Sequence, residues 1–219
     1  MVKDKLAPRG AMYGAPGQVL RPVVGLDIDG TSGYYHEHFA AYAQGFLQRP
    51  VIQHWDGSMP YWKCFGVSKA TYRVMKLGYR QGRMKRSMPR IPGAATLTRA
   101  VRQAGAELWV CTTRPWLRLD NIDPDTRFWL RNNGFQYDGV LFGPNKYRDL
   151  TRLVGIDRVV AVLDDEPEQM MVADRCGLPA YLLDRPYNQE GAWQRLNSIE
   201  TATKTIVDLV RKWREERGV

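Results

Sequence analysis

Short apolar runs alternate with longer segments in which apolar residues recur every three or four positions, from Val23 to near the end of the chain. Val23–Ile28, Glu107–Thr112, Gly139–Phe142, Val159–Leu163 and Ala180–Leu183 are of strand length. They are too uniformly apolar for a sheet with one wet face and suit strands covered on both sides. Helical spacing predicts helices over Ala94–Gln103, Asp123–Asn133, Tyr147–Val154, Pro167–Cys176 and Ile199–Arg217. Gly105, Gly134 and Gly177 stand where three of these should stop, and Pro124 stands where one should start. The last helix carries Ile206, Leu209, Val210 and Trp213 on one face. Strands alternating with helices imply a three-layer α/β fold with a parallel sheet. Ligands of such sheets bind beyond the carboxyl ends of the strands.

Two stretches fall outside the alternation. Residues 1–21 are rich in Gly, Pro and basic residues without periodicity, and a mobile basic tail is expected there. Residues 32–88 are too many for a simple loop. Within them, His38–Leu47 has Phe39, Tyr42, Ala43 and Phe46 at helical spacing, and Val67–Arg83 has Ser68 near its N-terminal cap. The expected division is a tail (1–21), a core domain (22–31 with 89–219) and a helical insert (32–88).

The 219 residues suit one core domain with a small insert. Cys64, Cys111 and Cys176 are widely spaced, form no C-x-x-C, and are expected as free thiols of a reducing compartment. No N-terminal apolar segment is long enough for a signal peptide or a membrane span, so a cytoplasmic protein without a membrane partner is expected. The net charge of +9 favours anionic partners such as phosphate esters, nucleotides or nucleic acid, without choosing among them.

The chemistry gathers at the ends of the apolar runs. The first run ends in Asp27-Ile28-Asp29-Gly30-Thr31. If the strand stays regular, Asp27 and Asp29 share a face. Like charges so placed are costly alone, and a divalent cation is the usual remedy. The second run ends in Thr112-Thr113-Arg114-Pro115, the third leads to Lys146, and the fourth ends in Asp164-Asp165. These four pieces, in this order, resemble the motifs of the haloacid-dehalogenase-like (HAD) phosphohydrolases. The resemblance implies a Rossmann-like core with a small helical cap inserted after the first strand. Pro89-Arg90-Ile91-Pro92-Gly93-Ala94 and Arg185-Pro186-Tyr187-Asn188 further resemble segments of the small 5'-nucleotidase (deoxyribonucleotidase-like) branch.

By that resemblance Asp27 is the nucleophile that forms an aspartyl-phosphate, and Asp29 is the general acid and base. Thr112 and Lys146 hold the phosphoryl oxygens. Mg²⁺ is bound by Asp27, the Asp29 carbonyl and Asp164. Thr31 and Thr113 fix backbone geometry, and Asp165 orients Lys146 or a metal-bound water. Arg114 is read either as reaching a substrate phosphate or a cap carboxylate, or as a surface arginine. His36-Glu37-His38 is not read as a metal site, because histidines two apart do not share a helix face.

The insert is aromatic, with Tyr34, Tyr35, Phe39, Tyr42, Trp55, Tyr61, Trp62, Phe65, Tyr72 and Tyr79. Some of these rings must pack its core, and some could stack on a base. From Lys69 to Arg90 it carries Lys69, Arg73, Lys76, Arg80, Arg83, Lys85, Arg86 and Arg90 with no acid. That run suits either an anionic partner or a solvated surface. The leading expectation is a Mg²⁺-dependent 5'-(deoxy)nucleotidase acting on a small phosphorylated substrate. A second is an end-processing phosphatase of nucleic acid, since Asp125-Thr126 and Trp129-Leu130 resemble the phosphatase half of polynucleotide kinases. No P-loop accompanies them. A third is a non-catalytic nucleotide-binding module.

Overall fold

The computed structural model describes residues 20–219, so the expected tail lies outside the described residues up to residue 19. Arg21 already belongs to the folded part. Its guanidinium pairs with Glu107 at 3.4 Å, and the Pro22 carbonyl accepts from the Glu107 N–H at 2.8 Å.

The elements run β1 (Val23–Leu26), α1 (Tyr35–Leu47), α2 (Lys69–Gln81), α3 (Ala94–Gln103), β2 (Glu107–Thr112) and α4 (Ile122–Asn132). They continue through β3 (Gly139–Phe142), α5 (Lys146–Val154), β4 (Val159–Asp164), α6 (Pro167–Arg175), β5 (Ala180–Leu183), β6 (Arg195–Leu196) and α7 (Ile199–Glu215). Short 3₁₀ turns occupy Tyr61–Phe65, Met84–Ser87 and Ile156–Arg158. The strands form one parallel sheet in the order β3-β2-β1-β4-β5-β6.

Alternate strand residues feed two apolar layers. Val24, Leu26, Leu108, Val110, Ala161 and Leu163 pack against α3, α4 and α7. Val23, Cys111, Val159 and Val162 pack against α5 and α6. This is the three-layer α/β arrangement expected from the sequence. A separate cluster of Phe39, Ala43, Phe65, Met75 and Tyr79 holds α1, α2 and the Tyr61–Phe65 turn together. Cys64, Cys111 and Cys176 are free thiols. No helix among the described residues is long and apolar enough to cross a membrane.

Several boundaries differ from expectation. β1 stops at Leu26, two residues early, because the chain turns through Asp27–Gly33 with the Ser32 and Gly33 N–H groups donating to the Ile28 carbonyl. α4 starts at Ile122, so Pro124 is its third residue rather than its first. The missing N–H does no harm there, since the first-turn donors have no intrahelical acceptor. β6 was not expected; two residues cannot show a period.

Candidate active site

The carboxyl ends of β1, β2 and β4 and the start of α5 line one cavity of about 90 Å³. Asp27 lies just past β1, and its N–H extends the ladder to the Leu163 carbonyl at 3.0 Å. Lys146, the first residue of α5, donates from Nζ to Asp27 Oδ1 at 2.6 Å and to Asp164 Oδ2 at 2.5 Å. Tyr147 Oη donates to the same Asp164 oxygen at 2.5 Å, and the Glu166 N–H donates to the other at 3.0 Å. Asp27, Lys146, Asp164 and Asp165 are all buried.

This half of the site is short of positive charge. Burial pushes the Asp27 carboxyl well above its ordinary value; Lys146 pulls it back, and Asp164, Asp165 and Asp29 push it further up. Burial alone would depress Lys146, but Asp164 and then Asp27 hold it protonated well above the usual lysine range. Carboxylate oxygens of Asp27, Asp164 and Asp165 lie within 4.8 Å of one another. Both Asp165 oxygens are already taken, Oδ1 by Thr31 Oγ1 and Oδ2 by Tyr187 Oη, each at 2.6 Å. Lys146 makes no hydrogen bond to Asp165 among the described residues, which leaves a metal-bound water as the partner expected for Asp165. Gln169 Oε1 lacks a hydrogen-bond partner among the described residues, and Gln169 lines the same cavity. Clustered carboxylates with surplus negative charge and an unpartnered amide oxygen fit a hard divalent cation such as Mg²⁺.

Asp29 meets the opposite surroundings. Arg114 grips it with two prongs, Nε to Oδ2 at 3.0 Å and Nη2 to Oδ1 at 2.6 Å, and Lys85 also donates to Oδ2. Burial would raise the Asp29 carboxyl, but Arg114 and then Lys85 overcome it and hold the group well below the usual carboxylate range. The third Arg114 nitrogen, Nη1, donates to Thr126 Oγ1 at 3.0 Å. Arg114 is buried, so it is not a surface arginine, and the carboxylate it reaches belongs to the loop after β1. It lines the cavity where a substrate would sit, with its nitrogens engaged by Asp29 and Thr126. Lys85 lies over the Tyr35 ring, 4.0 Å from the centroid, and burial pushes it down to about 7 against the pull of Asp29.

Thr113 lines the cavity, whereas Thr112 is buried with Oγ1 3.4 Å from the Arg114 N–H. Behind the floor, Arg185 donates to the Gly30 carbonyl at 2.7 Å and Asn188 to the Asp165 carbonyl at 2.7 Å. Arg185-Pro186-Tyr187-Asn188 is thus a brace between the loops after β1 and β4. Gly30 has φ +96° in this crowd, and a Cβ there would sit 2.6 Å from Tyr187 Oη. Only glycine meets both demands cheaply.

The one-sign basic run divides three ways. Lys85 serves Asp29, Arg86 bonds Asp125 at 2.5 Å, and Arg90 bonds the Asn133 carbonyl at 2.5 Å. Lys76 and Arg80 line the cavity, while Lys69, Arg73 and Arg83 are exposed. Of the ten aromatic residues, Tyr35 alone lines this cavity; most of the others pack the α1–α2 cluster. His36 packs among Trp55, Tyr61 and Tyr187, and burial pushes it down to about 3. His38 Nδ1 meets Tyr79 Oη at 2.7 Å.

Sequence reasoning missed Lys85 and Gln169 as site residues. One was submerged in the basic run, and the other is an ordinary polar position of a helix. Tyr187 was noted only as part of a short resemblance, without a contact.

No family model matches the chain, and no curated protein matches its sequence. Its fold matches solved structures. A predicted phosphatase from Clostridium acetobutylicum aligns with TM-score 0.63 and 16% identity over 87% of this chain and 100% of that one. A HAD family hydrolase from Deinococcus radiodurans R1, with bound phosphate and sodium, aligns with TM-score 0.62 and 14% identity over 88% and 97%. CbbY from Rhodobacter sphaeroides, in complex with phosphate, aligns with TM-score 0.57 and 19% identity over 82% and 95%. The chain has the fold of the haloacid-dehalogenase-like hydrolases.

Proposed function

We propose that this chain is a Mg²⁺-dependent phosphomonoesterase that works through an aspartyl-phosphate on Asp27. The observation that carries the reading is the Asp27–Lys146–Asp164 chain of ion pairs at the end of a parallel sheet, in a cavity with surplus carboxylate. The phosphate bound in two proteins of the same fold supports a phosphoryl site.

In this reading an Asp27 oxygen attacks phosphorus, and the ester oxygen leaves with a proton. Water then cleaves the acyl-phosphate and regenerates the Asp27 carboxylate. Mg²⁺, held by Asp27, Asp164 and the Asp29 carbonyl, would screen the repulsion between carboxylate and phosphate. Lys146 keeps its proton and offers charge to the phosphoryl oxygens as the transition state spreads charge over them. Thr112, at the end of β2, joins Lys146 in holding the phosphoryl oxygens, and Thr113 fixes the backbone beside it. Asp29 handles the proton of the leaving group and of the attacking water. Arg114 and Lys85 hold it ionised, ready to take the proton of the attacking water. To protonate the leaving oxygen it must first take up a proton, with its grip on these two cations loosened. The 32–88 segment acts as a cap, placing Tyr35, Lys76, Arg80 and Lys85 over the floor.

Nucleoside monophosphates are the first substrate class proposed. The support is the two short resemblances, Pro89–Ala94 and Arg185–Asn188. In the structure Ile91 N–H donates to the Ser32 carbonyl and Tyr187 to Asp165, so both segments brace loops around the cavity. A second reading, end processing of nucleic acid, draws on exposed Lys69, Arg73 and Arg83.

The test is Mg²⁺-dependent phosphate release from a panel of 5'-nucleoside monophosphates and from a 3'-phosphorylated oligonucleotide, with Asp27→Asn as blank. Release at least a thousandfold above the blank on either substrate is expected, and the faster one chooses between the readings. Release no faster than the blank on any phosphomonoester would end the phosphatase reading.

A further inference from the structure

We infer that the cavity takes a phosphomonoester bearing a second anionic group, phosphate or carboxylate, and that Lys76 and Arg80 hold that group. The inference rests on the phosphomonoesterase reading.

Five cations line the cavity. Lys146 is paired with Asp27 and Asp164, and Arg114 and Lys85 are paired with Asp29. Lys76 and Arg80 have no ion pair among the described residues. They stand four apart on α2, hence on one face of a helix whose thirteen residues include no acid. Like charges at that spacing oppose the helix. Both side chains are half-buried, so water solvates them incompletely. The Lys76 ammonium lies 5.4 Å from the Tyr72 centroid; Glu166 and Asp29 attract it from a distance, and neither forms an ion pair with it among the described residues. Burial, then Arg80, pushes Lys76 below the usual lysine range.

A single phosphoryl group does not account for these two charges. The floor already supplies Lys146 and a carboxylate set suited to a divalent cation, whereas Lys76 and Arg80 belong to a different element. A planar guanidinium beside a point-charge ammonium suits an oxyanion that accepts several hydrogen bonds. The substrate that completes this pocket is therefore anionic at two places. The remaining carboxylate on the lining, Glu166, forms no ion pair with Lys76 or Arg80 among the described residues.

Matched substrates test this. One pair is 2-phosphoglycolate against 2-hydroxyethyl phosphate; the other is a nucleoside 3',5'-bisphosphate against its 5'-monophosphate. In the unaltered protein, kcat/KM is expected to be at least tenfold higher for the doubly anionic member of one pair, and which pair responds tells carboxylate from phosphate. In Lys76→Ala and Arg80→Ala that ratio should fall at least fivefold, chiefly through KM, with Arg80→Lys restoring part of it. A ratio near one in the unaltered protein, or equal losses on both members in the variants, would overturn the inference. If no phosphomonoester is hydrolysed, the function reading fails by itself. Calorimetric binding of the same pairs then decides the inference separately. A tenfold preference lost in Arg80→Ala upholds it, and no preference sinks it.

Discussion

Asp27 and Asp29 are the same residue two positions apart, yet they end in opposite electrostatic surroundings. Asp27 shares one lysine with Asp164 and has Asp165 close by, so its carboxyl is pushed up. Asp29 has an arginine fork and a lysine to itself, so its carboxyl is held down. The D-x-D spacing brings both to one cavity but assigns neither its charge state. That is settled by Lys85, Arg114 and Lys146, which arrive from three other parts of the chain. One side is left wanting a cation, and the other is closed by two.

The strongest way to break this contrast is Lys146→Met. It leaves Asp27 and Asp164 buried without their shared cation, and loss of one member of a buried pair costs about 3–5 kcal/mol. Urea denaturation at pH 7.5 should show that loss, and it should shrink at pH 5 as the carboxyls take up protons. Turnover should fall at least a hundredfold. Equal stability at both pH values would mean that Lys146 does not neutralise the pair.

Arg114→Lys acts on the other side. It keeps the charge and loses the fork, so the Asp29 carboxyl should rise. A roughly ten- to hundredfold drop in kcat is expected, with the acid limb of the kcat profile, where Asp29 must accept the proton of water, displaced to higher pH. An acid limb that stays in place would show that Asp29 is not the group titrating there.

Asp165 gives the contrast a pH signature. Burial, then Asp164 and Glu166, pushes it up to about 7 from an ordinary 3.8. Between those values the folded chain keeps a proton that the unfolded chain has lost. Its stabilising effect is therefore present at low pH and disappears as pH rises through 7, by at most about 1.4 kcal/mol per unit for one proton. The Tm of metal-free protein should fall across this range, and millimolar Mg²⁺ should flatten the slope. An identical slope with Mg²⁺ would argue against a cation beside these carboxylates. The smallest effect is expected from Tyr187→Phe. It removes one hydrogen bond from Asp165 and should cost about 1 kcal/mol of stability and a few-fold in rate.

The layers of the fold were legible because strands covered on both faces read as apolar runs. α3 and β2 begin and end where the pattern places them, and a parallel sheet gathers its strand ends on one edge. That geometry is why Asp27, Asp29, Lys146 and Asp164 could be expected at one cavity from their positions alone. What stayed hidden depends on contacts between distant residues. Lys85 reaches Asp29 across 56 positions, from a run that looks like a solvated face. Whether Thr112 or Thr113 meets the cavity depends on how the chain leaves β2, which no local pattern records. Gln169 reads as any polar helix residue until its amide oxygen is seen without a partner.

The position of β1 in the sheet order has a consequence in time. Its neighbours on either side are β2 and β4, with Val23 opposite Glu107 on one edge and Val159 on the other. At about 5–20 residues per second, β2 leaves the ribosome on the order of ten seconds after β1, and β4 later still. Until then Val23–Leu26 is an apolar strand with both edges bare, the kind of segment that seeks other chains. Asp27 waits beside it, without its lysine until synthesis has passed residue 146.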